Sequence, residues 1–195
     1  MHKPTTIVIV ISIILIILSV SILMIYSSTR DKPNPSVNNI GGSFTLTDHN
    51  GKVFNSFAIK KKFKLIYFGF IRCPDVCPTA LSTLVQLINA LGDESINLQP
   101  IFITIDPERD NVESIKTYIE YFGEPLIGLT GTPAQIKQVA SQYKVYYSKA
   151  DLKSKHYMMN HSSFFYLTDK KDRYIAHFPY NSDIDEMAKQ IKSYF

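Results

Sequence analysis

The chain has 195 residues, which is enough for one domain with a hydrophobic core and additional segments. Its net charge of +4 comes from scattered lysines rather than a basic stripe, so we expect no nucleic-acid partner. Two cysteines can form at most one disulfide, which excludes a small scaffold held together by several disulfides.

A long hydrophobic segment lies near the amino end. Residues 7–25 are apolar or serine, without charge, proline or glycine, and about 20 such residues span a bilayer as a helix. A cleaved signal normally has a shorter apolar region, of about 7–15 residues, and a good small-residue cleavage site, for which only the weak candidate at 27–29 is present. We therefore predict a leader at residues 1–6 and a retained transmembrane anchor at 7–26.

The charges next to this anchor do not decide its orientation. Lys3 precedes it, whereas Arg30 and Lys32 follow it, so the positive-inside rule gives no answer. The leader is too short for an Arg- and Ser-rich mitochondrial presequence, which favours a bacterial inner-membrane protein.

The residues after the anchor form a predicted linker at 27–42. It contains Pro33, Pro35 and the Gly41-Gly42 pair, with few apolar side chains. We expect the folded domain to span residues 43–195, roughly 150 residues, which is an ordinary size for one domain.

Strand and helix patterns alternate through this domain. Residues 44–47 and 53–54 flank an Asn50-Gly51 turn, which predicts a hairpin. Residues 65–70 and 98–105 are nearly continuous apolar runs, typical of strands buried on both faces. Periodicity and capping signals predict helices at 79–91, 111–122, 133–143 and 183–194, and further strands at 126–129, 145–147, 162–167 and 174–178.

This order predicts an α/β fold. A buried strand, a cysteine loop and a helix, followed later by a strand hairpin and a last helix, resemble the thioredoxin arrangement. We expect a thioredoxin-like fold with an N-terminal hairpin extension, preceded by a single transmembrane helix.

The two cysteines, Cys73 and Cys77, lie four apart, and each is followed by a proline. Residues four apart in a helix have Cβ atoms about 5–6 Å apart, whereas a disulfide needs about 3.5–4.5 Å. This spacing mildly favours a shared metal ion, but Pro74 and Pro78 leave the loop adjustable enough for oxidation. With Cys77 at the cap of the next helix, the helix dipole favours the thiolate form. The alternative is a pair of cysteines that only pack in a core.

A metal site would need further ligands. His161 directly precedes a predicted strand, and in thioredoxin folds this position faces the cysteine loop, so we predict that it joins the cysteines. His156 and Asp75 are alternatives for a fourth ligand. Three other histidines are expected before the anchor, in the hairpin turn and on the sheet surface: His2, His49 and His177.

Two thiolates and one imidazole favour copper(I), and imidazole also suits copper(II). Structural zinc normally takes four ligands, which makes it the lesser hypothesis. Met158 and Met159 are soft donors as well, but adjacent methionines more often fill gaps in a core.

Several motifs occur here in the order in which one known family has them. They are Phe44-Thr45-Leu46-Thr47-Asp48, Tyr67-Phe68-Gly69-Phe70, Cys73-Pro74-Asp75-Val76-Cys77-Pro78, Ile105-Asp106-Pro107-Glu108-Arg109-Asp110, Gly128-Leu129-Thr130-Gly131, Val145-Tyr146-Tyr147 and His161-Ser162. From residue 42 to the carboxyl end, the chain resembles the Sco/SenC family of copper metallochaperones. The resemblance implies a thioredoxin-like fold, a membrane anchor, and copper bound by Cys73, Cys77 and His161.

The resemblance also implies a partner and a location. The partner is the cytochrome c oxidase subunit that carries the dinuclear CuA site, and the domain faces the periplasm, or the mitochondrial intermembrane space in a eukaryote. One departure is Asn160, where the family usually has aspartate, which changes the charge next to the ligand. Asp106 is expected either near the site or as a cap.

Three functions are compatible with these residues. The leading hypothesis is a copper-binding assembly factor, a carrier rather than an enzyme. The alternative is a thiol–disulfide oxidoreductase that reduces the CuA-site cysteines, although a three-residue spacer counts against a general redox enzyme. A peroxidase is the third, and the paired thiols and two prolines fit it poorly.

Overall fold

The computed structural model describes residue 14 and residues 16–21, 40–59, 62–151 and 157–195. The chain divides into two compact units, Met1–Asn39 and Ile40–Phe195. Residues 16–21 are helical, and the rest of the predicted anchor lies outside the described residues, apart from residue 14. Within the described ranges, no helix is both long enough and apolar enough to cross a membrane.

The described strands of the second unit are β1 (Thr45–Asp48), β2 (Val53–Asn55), β3 (Phe63–Gly69), β4 (Leu98–Thr104), β5 (Ile127–Thr130), β6 (Tyr147–Lys149), β7 (Met159–His161), β8 (Phe164–Thr168) and β9 (Tyr174–Pro179). Seven of them form one sheet with the order β2-β1-β5-β4-β3-β8-β9. Strand β3 pairs in parallel with the central strand β4 and antiparallel with β8, and every residue of β3 and β4 is buried, as their apolar sequences predict.

Four helices accompany this sheet: α1 (Val76–Leu91), α2 (Val112–Phe122), α3 (Pro133–Gln142) and α4 (Ile184–Lys192). Side chains that the sequence places at helix starts cap three of them. Asn111 accepts from the amide of Ser114, Thr132 and Gln135 form a capping box, and Asp183 accepts from the amide of Glu186. The predicted α/β order is confirmed, as is the hairpin β1–β2 at the amino end of the domain.

The strands β6 and β7 form a small separate sheet that the sequence did not predict. They pair antiparallel, with Tyr147 opposite His161 and Lys149 opposite Met159. Residues 148 and 149, expected in a loop, therefore lie in a strand, and His161 ends a strand of its own before β8 begins at Phe164. We call residues 147–151 and 157–161 the histidine hairpin; residues 152–156 lie outside the described ranges.

A buried ion pair lies near the start of β3. Lys64 Nζ is 2.6 Å from Asp172 Oδ1, and both side chains are fully buried. Ser56 Oγ donates to the other carboxylate oxygen at 2.9 Å, and the backbone amide of Gly42 donates to the Asp172 carbonyl at 3.0 Å. These contacts compensate the buried charges and fix the point where the chain enters the compact unit.

Candidate functional site

The cysteine loop, residues 70–75, carries Cys73 and leads from the carboxyl end of β3 into α1, whose second residue is Cys77. The buried carboxylate of Asp110 holds this loop, because its Oδ2 accepts from the Ile71 amide at 3.1 Å and from Thr104 Oγ1 at 2.7 Å. Burial raises the pKa of Asp110 above its usual range. A carboxylate from a neighbouring loop thus fixes the position of the cysteine loop.

The helix α1 begins at Val76, so Cys77 lies in its first turn. The prediction that Cys77 is the cap residue is therefore wrong. The backbone amides of the first turn have no partner within the helix, so Pro78 is tolerated there without loss of a hydrogen bond. The side chain of the cap residue, Asp75, makes no capping hydrogen bond. Instead, the sulfur of Cys73 accepts from the Cys77 amide at 3.4 Å.

The two cysteines are free thiols with unequal surroundings. A hydrogen bond from the Cys77 thiol, followed by contributions from His161 and backbone amides, lowers the pKa of Cys73 to about 4, although partial burial opposes this. The same hydrogen bond and complete burial raise the pKa of Cys77. At neutral pH the half-exposed Cys73 is therefore a thiolate, and Cys77 is a thiol that donates to it.

The imidazole of His161 faces Cys77, with Nε2 3.6 Å from the Cys77 sulfur. Its other nitrogen, Nδ1, lies 3.0 Å from the carbonyl oxygen of Ser162. Because a carbonyl can only accept, Nδ1 carries a proton in this contact. Nε2 is therefore the ring nitrogen that is placed to bind a metal ion beside the sulfur.

Aromatic side chains hold the imidazole in place. The rings of Tyr67 and Phe70 both meet it edge-on, with centroids 6.1 and 6.0 Å away. The Tyr67 hydroxyl also lies 3.9 Å from the Cys77 sulfur, and burial together with the neighbouring cysteine raises the pKa of this tyrosine, so the hydroxyl keeps its proton and donates. Cys73 and His161 line one open depression of about 390 Å³.

The structure thus brings together the three residues singled out by the sequence, although 84 positions separate Cys77 from His161. Their contacts are those of a hydrogen-bonded thiol–imidazole cluster. Among the described residues, no group of three or more His, Cys, Asp or Glu side chains has the geometry of a preformed metal-binding site.

The other candidates lie elsewhere. His49 ties the hairpin turn to β5, since its Nδ1 accepts from the Gly128 amide at 3.2 Å, and it is therefore more than a solvated turn residue. His177 is exposed on β9 and contacts the Tyr174 hydroxyl, as expected for a sheet surface. Residues 2 and 156 lie outside the described ranges. Of the two methionines, Met159 is buried in the core and Met158 is 41% exposed.

One cluster near the histidine hairpin was not predicted. The carboxylate of Asp106 accepts from Arg109 Nε and from the Tyr157 hydroxyl, the latter at 2.7 Å. The guanidinium carbon of Arg109 also lies 3.5 Å from the centroid of the Tyr157 ring. Asp106 therefore does not cap α2, whose cap is Asn111. The sequence signal for this cluster is the charged run at residues 106–110, which directly follows β4, the buried strand next to β3.

These features define a thioredoxin-like domain in which a cysteine pair at a helix start faces a histidine. A family model described as SCO1/SenC matches residues 32–195, and the chain belongs to the SCO1/SenC family. It is 40% identical over 204 aligned positions to an SCO2-like protein of Rickettsia prowazekii, covering 100% of this chain and 98% of that one.

Solved structures give the same result. ScoI of Bradyrhizobium japonicum, solved with copper bound, is 40% identical and has a TM-score of 0.73, covering 80% of this chain and 99% of that one. Yeast Sco1, also solved with copper bound, is 37% identical with a TM-score of 0.72, covering 80% and 91%. These similarities confirm the predicted thioredoxin-like Sco fold.

Proposed function

We propose that this chain is a copper carrier that holds its cargo with Cys73, Cys77 and His161. The observation that carries the proposal is the 3.6 Å contact between the Cys77 sulfur and His161 Nε2, next to the Cys73 thiolate. Two sulfurs and an imidazole are a soft donor set that suits copper(I). The copper-bound relatives from Bradyrhizobium japonicum and yeast support the choice of metal.

The protonation states of the site suit metal uptake. Cys73 is already a thiolate, so it does not have to lose a proton. Cys77 is the cysteine that must release one when copper binds. The two cysteines together should therefore release about one proton when one copper(I) ion binds at neutral pH.

We further propose that the cargo is destined for the CuA-carrying subunit of cytochrome c oxidase. Members of the Sco family are described as cytochrome c oxidase assembly proteins. The segment at 7–26 would anchor the chain in the inner membrane, with the domain on the periplasmic side. A relative from Saccharomyces cerevisiae is named as mitochondrial, and a SCO1/SenC family relative from Bacillus anthracis is described as a lipoprotein.

A titration of the full chain with copper(I) against a chromophoric chelator tests the proposal. We expect one tightly bound ion per chain, and His161→Ala should lower the affinity at least about tenfold because it removes one of three ligands. His177→Ala removes an exposed imidazole outside the site and serves as the control. Wild-type protein without bound copper, or an unchanged affinity of His161→Ala, would contradict the proposal.

A second function is favoured by the unequal cysteines. The half-exposed Cys73 thiolate would attack a partner disulfide and form a mixed disulfide, with one partner sulfur leaving as thiolate. Cys77 would then give up its proton and attack the Cys73 sulfur. The products are the partner dithiol and a Cys73–Cys77 disulfide, a two-electron exchange.

This second function has its own test. The reduced full chain is mixed with an oxidised peptide that carries the paired cysteines of a CuA site, and free peptide thiols are counted. Cys73→Ser should abolish the reaction, while Cys77→Ser should trap the mixed disulfide. Intact copper binding without peptide reduction would remove this function and leave the carrier.

A further inference from the structure

The turn that follows β4, residues 106–110, contacts both halves of the site. Asp110 holds the cysteine loop through the Ile71 amide at 3.1 Å. Asp106, Glu108 and Arg109 contact the histidine hairpin. We call residues 106–110 the bridging turn.

The contacts to the histidine hairpin converge on Tyr157, four residues before His161. Arg109 stacks its guanidinium on the Tyr157 ring at 3.5 Å and donates from Nη1 to the Tyr157 carbonyl at 2.9 Å. Asp106 accepts from the Tyr157 hydroxyl at 2.7 Å and pairs with Arg109 Nε. Backbone, ring and hydroxyl of one residue are therefore all fixed by the bridging turn.

The opposite strand of the histidine hairpin has a contact of its own. Lys149 Nζ, in β6, lies 2.7 Å from Glu108 Oε2 and 4.6 Å from the centroid of the Tyr157 ring. Lys149 is paired with Met159 across the hairpin, so the contact with Glu108 supports the paired strands β6 and β7.

The bridging turn itself is firmly built. Asp110 is 1% exposed, its carboxylate accepts from Thr104 Oγ1 at 2.7 Å, and its carbonyl accepts from Thr130 Oγ1 at 2.9 Å. The amide of Asp106 donates to Thr104 Oγ1 at 2.9 Å. These bonds connect the turn to the ends of β4 and β5, two strands of the main sheet.

The histidine hairpin needs such a support. The strands β6 and β7 pair with each other and not with the seven-stranded sheet. Strand β8, which pairs with β3, begins three residues after His161, so the main sheet reaches the chain next to the histidine but not the hairpin itself. The distance between the imidazole and the thiols therefore also depends on side-chain contacts from outside the hairpin: those of the Tyr67 and Phe70 rings with the imidazole, and those of the bridging turn with Tyr157.

We propose that the bridging turn sets this distance, with Arg109 and Asp110 as positioning residues for the histidine half and the cysteine half respectively. Neither touches the cargo. The inference rests on the proposed copper site for its functional meaning, while its structural content concerns the reduced, copper-free chain alone.

Hydrogen–deuterium exchange of the full chain, reduced and copper-free, tests the structural content. Arg109→Gln should speed exchange in the histidine hairpin, and Asp110→Ala, which removes the acceptor of the Ile71 amide, should speed it in the cysteine loop and the start of α1, each with little change in the other half. Arg173→Gln breaks a matched pair, in which Arg173 Nη2 lies 2.6 Å from Asp169 Oδ2 in the exposed β8–β9 turn, and should change neither half.

Copper(I) affinity of the same variants tests the functional content. We expect Arg109→Gln to weaken binding about 10- to 100-fold, the usual effect of losing a residue that orients a metal ligand. Tyr157→Phe removes only the hydroxyl bond to Asp106, keeps the stacked ring, and should have a smaller effect in the same direction. If Arg109→Gln fails to fold, the copper(I) affinity of Tyr157→Phe tests the functional content instead.

The outcomes are separable. Unchanged exchange of the histidine hairpin in both Arg109→Gln and Tyr157→Phe overturns the inference, whatever their copper affinities. Equal acceleration in both halves by either variant of the turn also overturns it, because that result describes general destabilisation. Wild-type protein that binds no copper refutes the proposed carrier function and leaves the exchange result to decide the inference.

Discussion

At the scale of single residues, the site depends on the inequality of two cysteines. Cys73 lies outside the helix, accepts hydrogen bonds, and is half-exposed, whereas Cys77 lies inside the first turn of α1 and is completely buried. The proton stays on Cys77, so the Cys73 thiolate can bind a metal ion or attack a disulfide at once, whereas Cys77 must first lose its proton. His161 adds a ring nitrogen to the same cluster.

We predict that alkylation will show this inequality. Because the pKa of Cys73 is lowered to about 4, its thiolate fraction should be nearly complete at about pH 6, where an ordinary cysteine with a pKa of about 8.5 hardly reacts. Its reaction rate with iodoacetamide should fall only as the pH drops through about 4. Mass spectrometry should find Cys73 labelled and Cys77 unlabelled.

The control for this prediction removes the donor. Cys77→Ala deletes the thiol that contributes most to the lowered pKa, so the alkylation profile of Cys73 should move to higher pH. A wild-type profile with its midpoint near the value of a free cysteine would contradict the assignment.

Gly69 explains how the buried sulfur fits against β3. A Cβ at this position would lie 3.0 Å from the Cys77 sulfur and 2.9 Å from Tyr67 Cε1. We therefore predict that Gly69→Ala displaces the thiol, weakens copper(I) binding, and costs about 1–3 kcal/mol of stability through overpacking. In Gly128→Ala the atoms nearest to the new Cβ belong to Ile115 and Ile119, both at 2.5 Å, and not to a thiol, so it should lower stability and leave copper affinity unchanged. Equal losses of affinity in both variants would count against this explanation.

At the scale of elements, the sequence predicted the sheet better than the surroundings of the histidine. Strands β3 and β4 were recognisable because every residue in them is buried and their apolar runs are nearly unbroken. The strands β6 and β7 have three residues each with mixed polarity, so no periodic signal distinguishes them from a loop. The approach of His161 to Cys77 could be predicted only from the thioredoxin-like order.

The bridging turn shows why the remaining contacts of the site cannot be predicted from the sequence. The contact between Arg109 and Tyr157 joins two irregular segments 48 residues apart, and no pattern in either segment indicates the other. The sequence predicts a start of α1 after Pro78, whereas the helix begins at Val76. Pro78 is its third residue, a position where a proline also loses no hydrogen bond within the helix.

The buried ion pair Lys64–Asp172 lies at the start of β3, away from the cysteine loop at its end. We predict that breaking it lowers stability without changing copper affinity. Removing one partner leaves an uncompensated buried charge, so Lys64→Ala should lower the free energy of unfolding by about 3–5 kcal/mol. Arg173→Ala breaks an exposed pair and should cost less than about 1 kcal/mol. Urea denaturation measures both, and the folded variants should bind copper(I) like wild type.

At the scale of the whole molecule, the chain combines a compact unit at Ile40–Phe195 with an amino-terminal segment predicted as an anchor. The compact unit contains the cysteines, the histidine and the contacts described above that position them. We therefore expect that removing residues 1–39 leaves copper(I) affinity unchanged and releases the protein from the membrane fraction. Membrane flotation of both forms provides the measurement, and flotation of the shortened chain would contradict an anchor at 7–26.

X-ray absorption at the copper edge of the copper(I)-loaded full chain tests the central claim most directly, because it counts the sulfur and nitrogen neighbours of the ion. The proposed site predicts two sulfurs and one nitrogen in the wild type, with the nitrogen contribution lost in His161→Ala. A wild-type spectrum with sulfur neighbours only, or one that His161→Ala leaves unchanged, would contradict a copper site built from Cys73, Cys77 and His161.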